Sequence, residues 1–186
     1  MYADRNRARF AWGITGSGHY LEESLALAAE LDAVDLFCSK AGGEVLQMYG
    51  HSLSDLRKRM RVYTDNTASS PPVGEFYHGQ YHTLVVAPAT SNTVAKCVWG
   101  LSDTLVTNIF AQAGKCRIPI IVFACDSKPV MRTDAPEGPV MVYPRHIDLE
   151  NTERLCGFEH TQVVTTLEQL QAALKERTQW LNTCCS

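Results

Sequence analysis

The sequence predicts an α/β protein: a parallel sheet with helices on both faces. Three observations predict it. Apolar runs of strand length recur at RFAWGI (9–14), AVDLFCS (33–39), TLVVAP (83–88) and IPIIVFAC (118–125), continuous enough for strands covered on both sides. Segments with apolar residues at helical spacing lie between them. The turns that would follow the strands, GITGSGH, SKAGG, APATSNT and ACDSKPVM, are crowded with small or polar residues. Alternation of strand and helix implies parallel pairing, and such sheets bind ligands beyond the carboxyl ends of their strands.

In chain order, the first strand ends in its glycine turn, after which Leu21, Leu25 and Ala28 recur at helical spacing, with Glu22, Glu23 and Glu30 for the wet side. The second strand leads into AGGEVLQMYG, a helix that Gly50 can end. After the third strand a helix from about Thr93 carries Val94, Val98, Leu101, Leu105 and Ile109 on one continuous stripe. Trp99 and Phe110 fall off that stripe and are expected on a contact surface. The fourth strand precedes a short apolar PVMVYP, a last strand in TQVVTT (161–166) and a closing helix over 167–181. The loosest stretch is 64–79, with Pro71, Pro72, Gly74 and Gly79, expected to pass over a ligand or to make a subunit contact.

A chain of 186 residues is expected to form one domain over 1–186. The formal net charge of −3 argues against a general nucleic-acid binder, which carries a basic field. No apolar run reaches the roughly 20 residues that cross a bilayer. The opening MYADRNRARF has no signal-peptide h-region and reads as a frayed tail. Seven cysteines, at 38, 97, 116, 125, 156, 184 and 185, show no C-x-x-C spacing. They read as free or buried thiols of a reducing, cytoplasmic compartment, the adjacent pair being incidental to a tail. His51, His78, His82 and His160 lack ligand-like spacing, so no metal site is expected.

The glycine turn spaces Gly13, Gly16 and Gly18 as G-x-x-G-x-G, not as the G-x-G-x-x-G of dinucleotide sites. The second strand ends in Ser39 and Lys40, where ribose recognition would want an acidic residue. Thr15, Gly16, Ser17 and Gly18 at a helix N-terminus offer amides and hydroxyls to one phosphate, with Ser39 and Lys40 alongside. That describes a mononucleotide site, unless the glycines serve the turn alone. In the third turn Pro88, Ala89, Thr90, Ser91 and Asn92 present short groups that can wrap a flat polar ligand, and Cys125 and Asp126 head the fourth.

Taken together, GITGSG, SKAGGEVL and APATSNTVAKCVWGLSDTLVTN resemble the flavoprotein family of homo-oligomeric FMN-containing cysteine decarboxylases. That family includes phosphopantothenoylcysteine decarboxylases, flavin prenyltransferases and archaeal-type flavoproteins. The resemblance implies a Rossmann-like (flavodoxin-like) fold, bound FMN, and a homo-oligomer, a trimer or an assembly of trimers, with FMN near subunit boundaries. It also implies that residues 88–92 lie along the isoalloxazine ring and that Ser102 and Asp103 sit close to the flavin and the subunit contact.

His19 follows the glycine turn, where the decarboxylase branch carries a catalytic histidine, but that branch's PxMNxxMW clamp is missing and ACDSKPVMRTDAP occupies its region. The arginine- and glutamate-bearing loop of a prenyltransferase is not evident. VYPRHIDLENTERL (142–155), AWGITGSGHYLEE and SKAGGEVLQMYG are similar instead to the archaeal-type group that includes dihydromethanopterin reductases. The implied function is an FMN-dependent oxidoreductase that reduces a dihydropterin with electrons from NAD(P)H, with no nucleic-acid or membrane partner. Lys40, Lys96, Lys128, Arg132, Arg145 and His146 are candidates to stabilise the reduced ring or a second anion, and each also reads as a surface charge. No catalytic residue is assigned. Two other classes stay open: an electron-transfer module fed by a ferredoxin-like partner, and a non-redox decarboxylase or prenyltransferase relative.

Overall fold

The computed structural model describes residues 8–65 and 71–184. In chain order the elements are β1 (Arg9–Ile14), α1 (Leu21–Ala29), β2 (Val34–Cys38), α2 (Lys40–Met48), α3 (Leu53–Leu56), β3 (Arg61–Thr64), α4 (Pro71–Gly74) and β4 (Tyr81–Ala89). There follow α5 (Ser91–Val98), α6 (Leu105–Lys115), β5 (Ile120–Ala124), β6 (Met131–Ala135), β7 (Gly138–Val142), α7 (His146–Leu155), β8 (Thr161–Val164) and α8 (Leu167–Cys184). Six strands form one sheet in the order β3-β2-β1-β4-β5-β8, and every pairing in it is parallel. This is the doubly wound, Rossmann-like (flavodoxin-like) arrangement, and its direction of winding reverses between β1 and β4.

Alternation along the strands sorts the core into two layers. In β1, Phe10, Trp12 and Ile14 point to one face and Ala11 to the other. The first face takes Leu21 and Ala28 of α1, Leu46 of α2, and Leu170 and Leu174 of α8. The second takes Val94 of α5, Leu105 and Ile109 of α6, and Leu155 of α7. Burial of a side chain such as Leu84 or Phe123 contributes about 1.5–3 kcal/mol, so the central strands supply much of the stability. Gly13 is dictated by packing: a Cβ there would lie 3.1 Å from Val106 Cγ1, where α6 crosses the sheet closely.

Four features differ from the sequence expectation. The helix expected to run on from Thr93 is two helices. Gly100, at φ 69°, ends α5 with Gly100 N–H donating to Cys97 O and Leu101 N–H to Lys96 O, and Thr104 then caps α6 in a reciprocal pair with Thr107. Leu101 is consequently exposed rather than on the stripe, and Phe110 is buried in the core, whereas Trp99 is exposed as expected. The apolar PVMVYP belongs to a hairpin, β6–β7, that forms a separate two-stranded antiparallel sheet.

The third difference concerns two elements, β3 and α7, which carry too many charged and polar residues to stand out as apolar segments. The fourth is the stretch 64–79. Asp65 accepts from Leu105 N–H at its start (3.1 Å), and Phe76 packs on Phe37 and Tyr81 near its end. From Asp65 its described part therefore returns to the amino ends of the strands rather than over the carboxyl ends, which bears on the expected passage over a ligand and not on the expected subunit contact. Residues 66–70 of that stretch, the first seven residues of the expected tail, and Cys185 lie outside the described residues.

Candidate functional site

The loops after β1, β4 and β5 meet at the carboxyl edge, on the β1/β4 reversal, where doubly wound sheets bind ligands. They enclose a cleft of about 290 Å³ with Gly16, Ser17, Gly18 and His19 on one side and Thr90 and Asp126 on another. The hairpin closes a third side through Met131, Thr133, Ala135 and Val142. Strand periodicity explains that wall: 131, 133 and 135 share one face of β6, and the register sets Met131 opposite Val142.

Beneath the cleft the side chains are spent on neighbouring loops. Thr15, buried, donates from Oγ1 to Pro88 O (2.7 Å) and accepts there from Thr90 N–H (3.0 Å). Trp12 Nε1–H donates to Ala87 O (2.7 Å). Asp126 accepts from Ser91 N–H (3.1 Å), and Thr90 caps α5 by accepting from Thr93 N–H (3.2 Å). Ser39 caps α2, accepting from Gly42 N–H (3.0 Å). A Cβ on Gly42 would fall 2.5 Å from Ile14 O, so the start of α2 is pressed against the end of β1.

The start of α1 is built differently. Tyr20, in the N-cap position, is left-handed at φ 60°, and no side chain caps the helix. The turn before it, 16–19, lines the cleft, which places the positive end of α1 there. Among the described residues that line the cleft there is no lysine or arginine. The arrangement suits one anion held by neutral donors.

These facts sort the sequence candidates. Gly16, Ser17, Gly18, Thr90 and Asp126 line the cleft. Thr15, expected as part of a phosphate cradle, is instead a buried stitch between two loops. Ser39 serves as a helix cap, and Lys40 is exposed beside it. Pro88 and Ala89 are buried at the end of β4, Ser91 offers its amide to Asp126, and Asn92 is exposed on the first turn of α5. The Cys125 thiol is buried 3.7 Å from His19 O, and burial pushes its pKa up to about 12, so it stays protonated and unreactive.

Ser102 and Asp103 are exposed in the α5–α6 connection, away from this cleft, and Asp103 pairs with Lys96 at 2.9 Å. Arg145 is held by Asp148 (2.7 Å), His146 lies 3.4 Å from Glu150, and Lys128 and Arg132 are exposed.

Sequence reasoning missed Tyr49 and the hairpin wall. The alternation in MRTDA followed by Pro136, Glu137 and Gly138 was a usable hairpin signal. Nothing local marks Tyr49, which reaches the cleft only because α2 ends beside the start of α1, where His51 Nε2 lies 2.8 Å from Glu22 Oε1.

The model of the family described as Flavoprotein matches residues 2–183, and the chain belongs to that family. A dihydromethanopterin reductase (acceptor) of Methanosarcina mazei is 41% identical over 131 residues, covering 63% of this chain and 55% of that protein. The chain thus spans little more than half the length of that relative. An uncharacterized protein of Methanocaldococcus jannaschii is 35% identical over 176 residues, covering 89% of this chain and 94% of its own. The crystal structure of Burkholderia xenovorans DmrB in complex with FMN, described as a cubic protein cage for redox transfer, superposes with a TM-score of 0.89. It is 58% identical and the match covers 95% of this chain and 98% of that one.

Proposed function

We propose that this member of the Flavoprotein family is an FMN-dependent reductase that passes electrons from NAD(P)H to a dihydropterin. The observation that carries the reading is the cleft itself. It lies at the winding reversal, offers one anion position at an uncapped helix start, and lacks an acidic residue at the end of β2, as a mononucleotide site should. The fit to FMN is chemical. Backbone amides of 16–19 and the Ser17 hydroxyl suit the phosphate, while Thr90, Ser91, Asn92 and the hairpin wall suit a flat ring with a polar edge. Likeness to the FMN complex of DmrB over nearly the whole chain supports the same reading.

FMN, when bound, accepts and delivers the electrons; the protein supplies position and electrostatics. Thr15 and Asp126 fix the spacing of the loops by bonding to backbone atoms of the neighbouring turn. Met131, Ala135 and Val142 keep water from one side of the cleft, and the positive end of α1 favours an anion. By this reading Ser102 and Asp103 act at a subunit boundary, in a homo-oligomer built on trimers, and exposed Trp99, Met141 and Tyr143 are available for such contacts.

Mass spectrometry of the released cofactor should find FMN; FAD, or no flavin from a folded preparation, overturns the assignment. Anaerobic stopped-flow spectra should show bleaching by NADPH or NADH and reoxidation by a dihydropterin. A second reading, an electron carrier fed by another protein, draws on the redox-transfer description of DmrB and the acceptor naming of the Methanosarcina relative. Bleaching by reduced ferredoxin but not by NAD(P)H selects it.

A further inference from the structure

We propose that Asp126 determines which second ligand the cleft admits beside the flavin, its carboxylate accepting two neighbouring N–H groups of a 2-amino-4-oxopteridine. The proposal rests on the FMN-dependent reductase reading above and adds to it the residue that recognises the pterin. Asp126 follows the turn out of β5 and lines the cleft together with Thr90 and with Met131 and Thr133 of the hairpin. Its Oδ2 accepts from Ser91 N–H at 3.1 Å, which ties the carboxylate to the loop assigned above to the flavin ring. It therefore belongs to the ring side of the cleft and not to the phosphate side.

Its surroundings leave that carboxylate in want of donors. A carboxylate has about four lone-pair positions, and the Ser91 amide takes one of them. Among the described residues that line the cleft, Asp126 is the sole acidic one, and there is no lysine or arginine to neutralise it. Of the hairpin residues in the lining, only Thr133 carries a side-chain donor. Asp126 is partly buried already, and a flat ligand laid in the cleft would strip water from it. A charge so covered is costly unless the ligand itself supplies hydrogen bonds. The pyrimidine edge of a flavin offers one N–H, flanked by two carbonyls that a carboxylate repels. A 2-amino-4-oxopteridine sets its N3–H and its 2-amino group side by side, a two-pronged donor of the kind an arginine presents to a carboxylate. An acceptor without that edge would bury the charge unpaired, so the same residue also rejects.

The test is anaerobic titration of the FMN-loaded full chain with 6-methyl-7,8-dihydropterin and with 6-methyl-7,8-dihydrolumazine. The second compound carries an oxo group where the first has its 2-amino group. Binding is read from the perturbed flavin absorbance, for the wild type and for Asp126→Asn. Asparagine keeps the shape and can still accept from Ser91 N–H, but its amide nitrogen would meet the donors of the ligand. The wild type should bind the dihydropterin about tenfold more tightly than the dihydrolumazine, and Asp126→Asn should bring the two within about twofold. Asp126→Glu, which keeps the charge on a longer arm, should retain a preference of the same sign. A preference that survives in Asp126→Asn overturns the proposal. So does equal weakening of both pteridines, which would make the residue a loop tie alone. An FMN-loaded wild type that binds neither pteridine, or both alike, overturns the proposal while its flavin stands. A folded chain that takes up no FMN overturns the FMN reading and the proposal together. A preference lost in Asp126→Asn, without reoxidation of the reduced flavin by the dihydropterin, keeps the recognition role and overturns the reductase reading alone.

Discussion

At the amino end of the sheet, Asp35 is buried and takes Arg9 Nε–H at 2.7 Å and the Tyr81 hydroxyl at 3.0 Å. Tyr81 also lies 2.8 Å from Glu75, which accepts from Tyr63, while Arg61 donates to the Tyr63 oxygen at 3.0 Å. At the carboxyl end Thr15 and Asp126 bond to backbone atoms of an adjacent loop, and Thr90 caps its own helix. One end closes its charges on each other, side chain to side chain. The other spaces its loops with side chains bonded to backbone and leaves the start of α1 uncapped. By the proposed function, the same sheet concentrates cohesion at one end and ligand chemistry at the other.

Substitutions at the two ends should separate these roles. The largest effect is expected from Asp35→Ala, which takes the carboxylate from partly buried Arg9 and leaves the Tyr81 hydroxyl with Glu75 alone. Unfolding in urea should show a loss of about 3 kcal/mol, with flavin per folded chain unchanged. A flavin loss matching the stability loss would break the division. Next comes Thr15→Val, which leaves the Thr90 amide without its acceptor. It should cost about 2 kcal/mol and also lower the flavin content of the folded fraction, since the β1 and β4 loops lose their tie.

A smaller, pH-dependent effect belongs to His82. Burial, with Arg177 adding to it, lowers its pKa from 6.5 to about 4. The folded chain therefore resists protonation where the unfolded chain accepts it. Stability contributed above pH 6.5 should be lost as pH falls toward 4, with a slope of at most about 1.4 kcal/mol per pH unit. His82→Gln should remove that part of the slope in urea midpoints measured across the window. The smallest change is expected from Asp103→Asn, whose exposed pair with Lys96 should leave the Tm unmoved. A drop in flavin content of that variant at constant Tm would place the α5–α6 connection at a neighbouring subunit's site and sharpen the comparison.

The strands most deeply covered were legible because double-sided burial demands unbroken apolar runs, as in LVVA of β4 and IIVFA of β5. The loops were legible because close approach demands small residues. Where the sequence misled, local signals competed. Val98, Leu101 and Leu105 keep helical spacing across Gly100, but a left-handed glycine and the Thr104 cap outweigh the period. Helix α7 buries Asp148, Asn151 and Thr152 on its inner face, a polar seam that hydropathy does not flag. Of the residues the sequence singles out, Gly16, Ser17, Gly18, Thr90 and Asp126 line the cleft, whereas the side chains of Thr15 and Cys125 are buried, which residue type alone does not reveal. The position of Tyr49 depends on where α2 ends in space, which no spacing encodes.

The hairpin has a consequence of another kind. Its ladder runs from Met131–Val142 to Ala135–Gly138 and forms a sheet apart from the main one. A descendant lineage can therefore lengthen, trim or exchange this wall without disturbing β1, β4 or the start of α1. Divergence in what is admitted to the cleft then costs little heritable risk to what is held there, and related proteins should vary most in this one short ribbon.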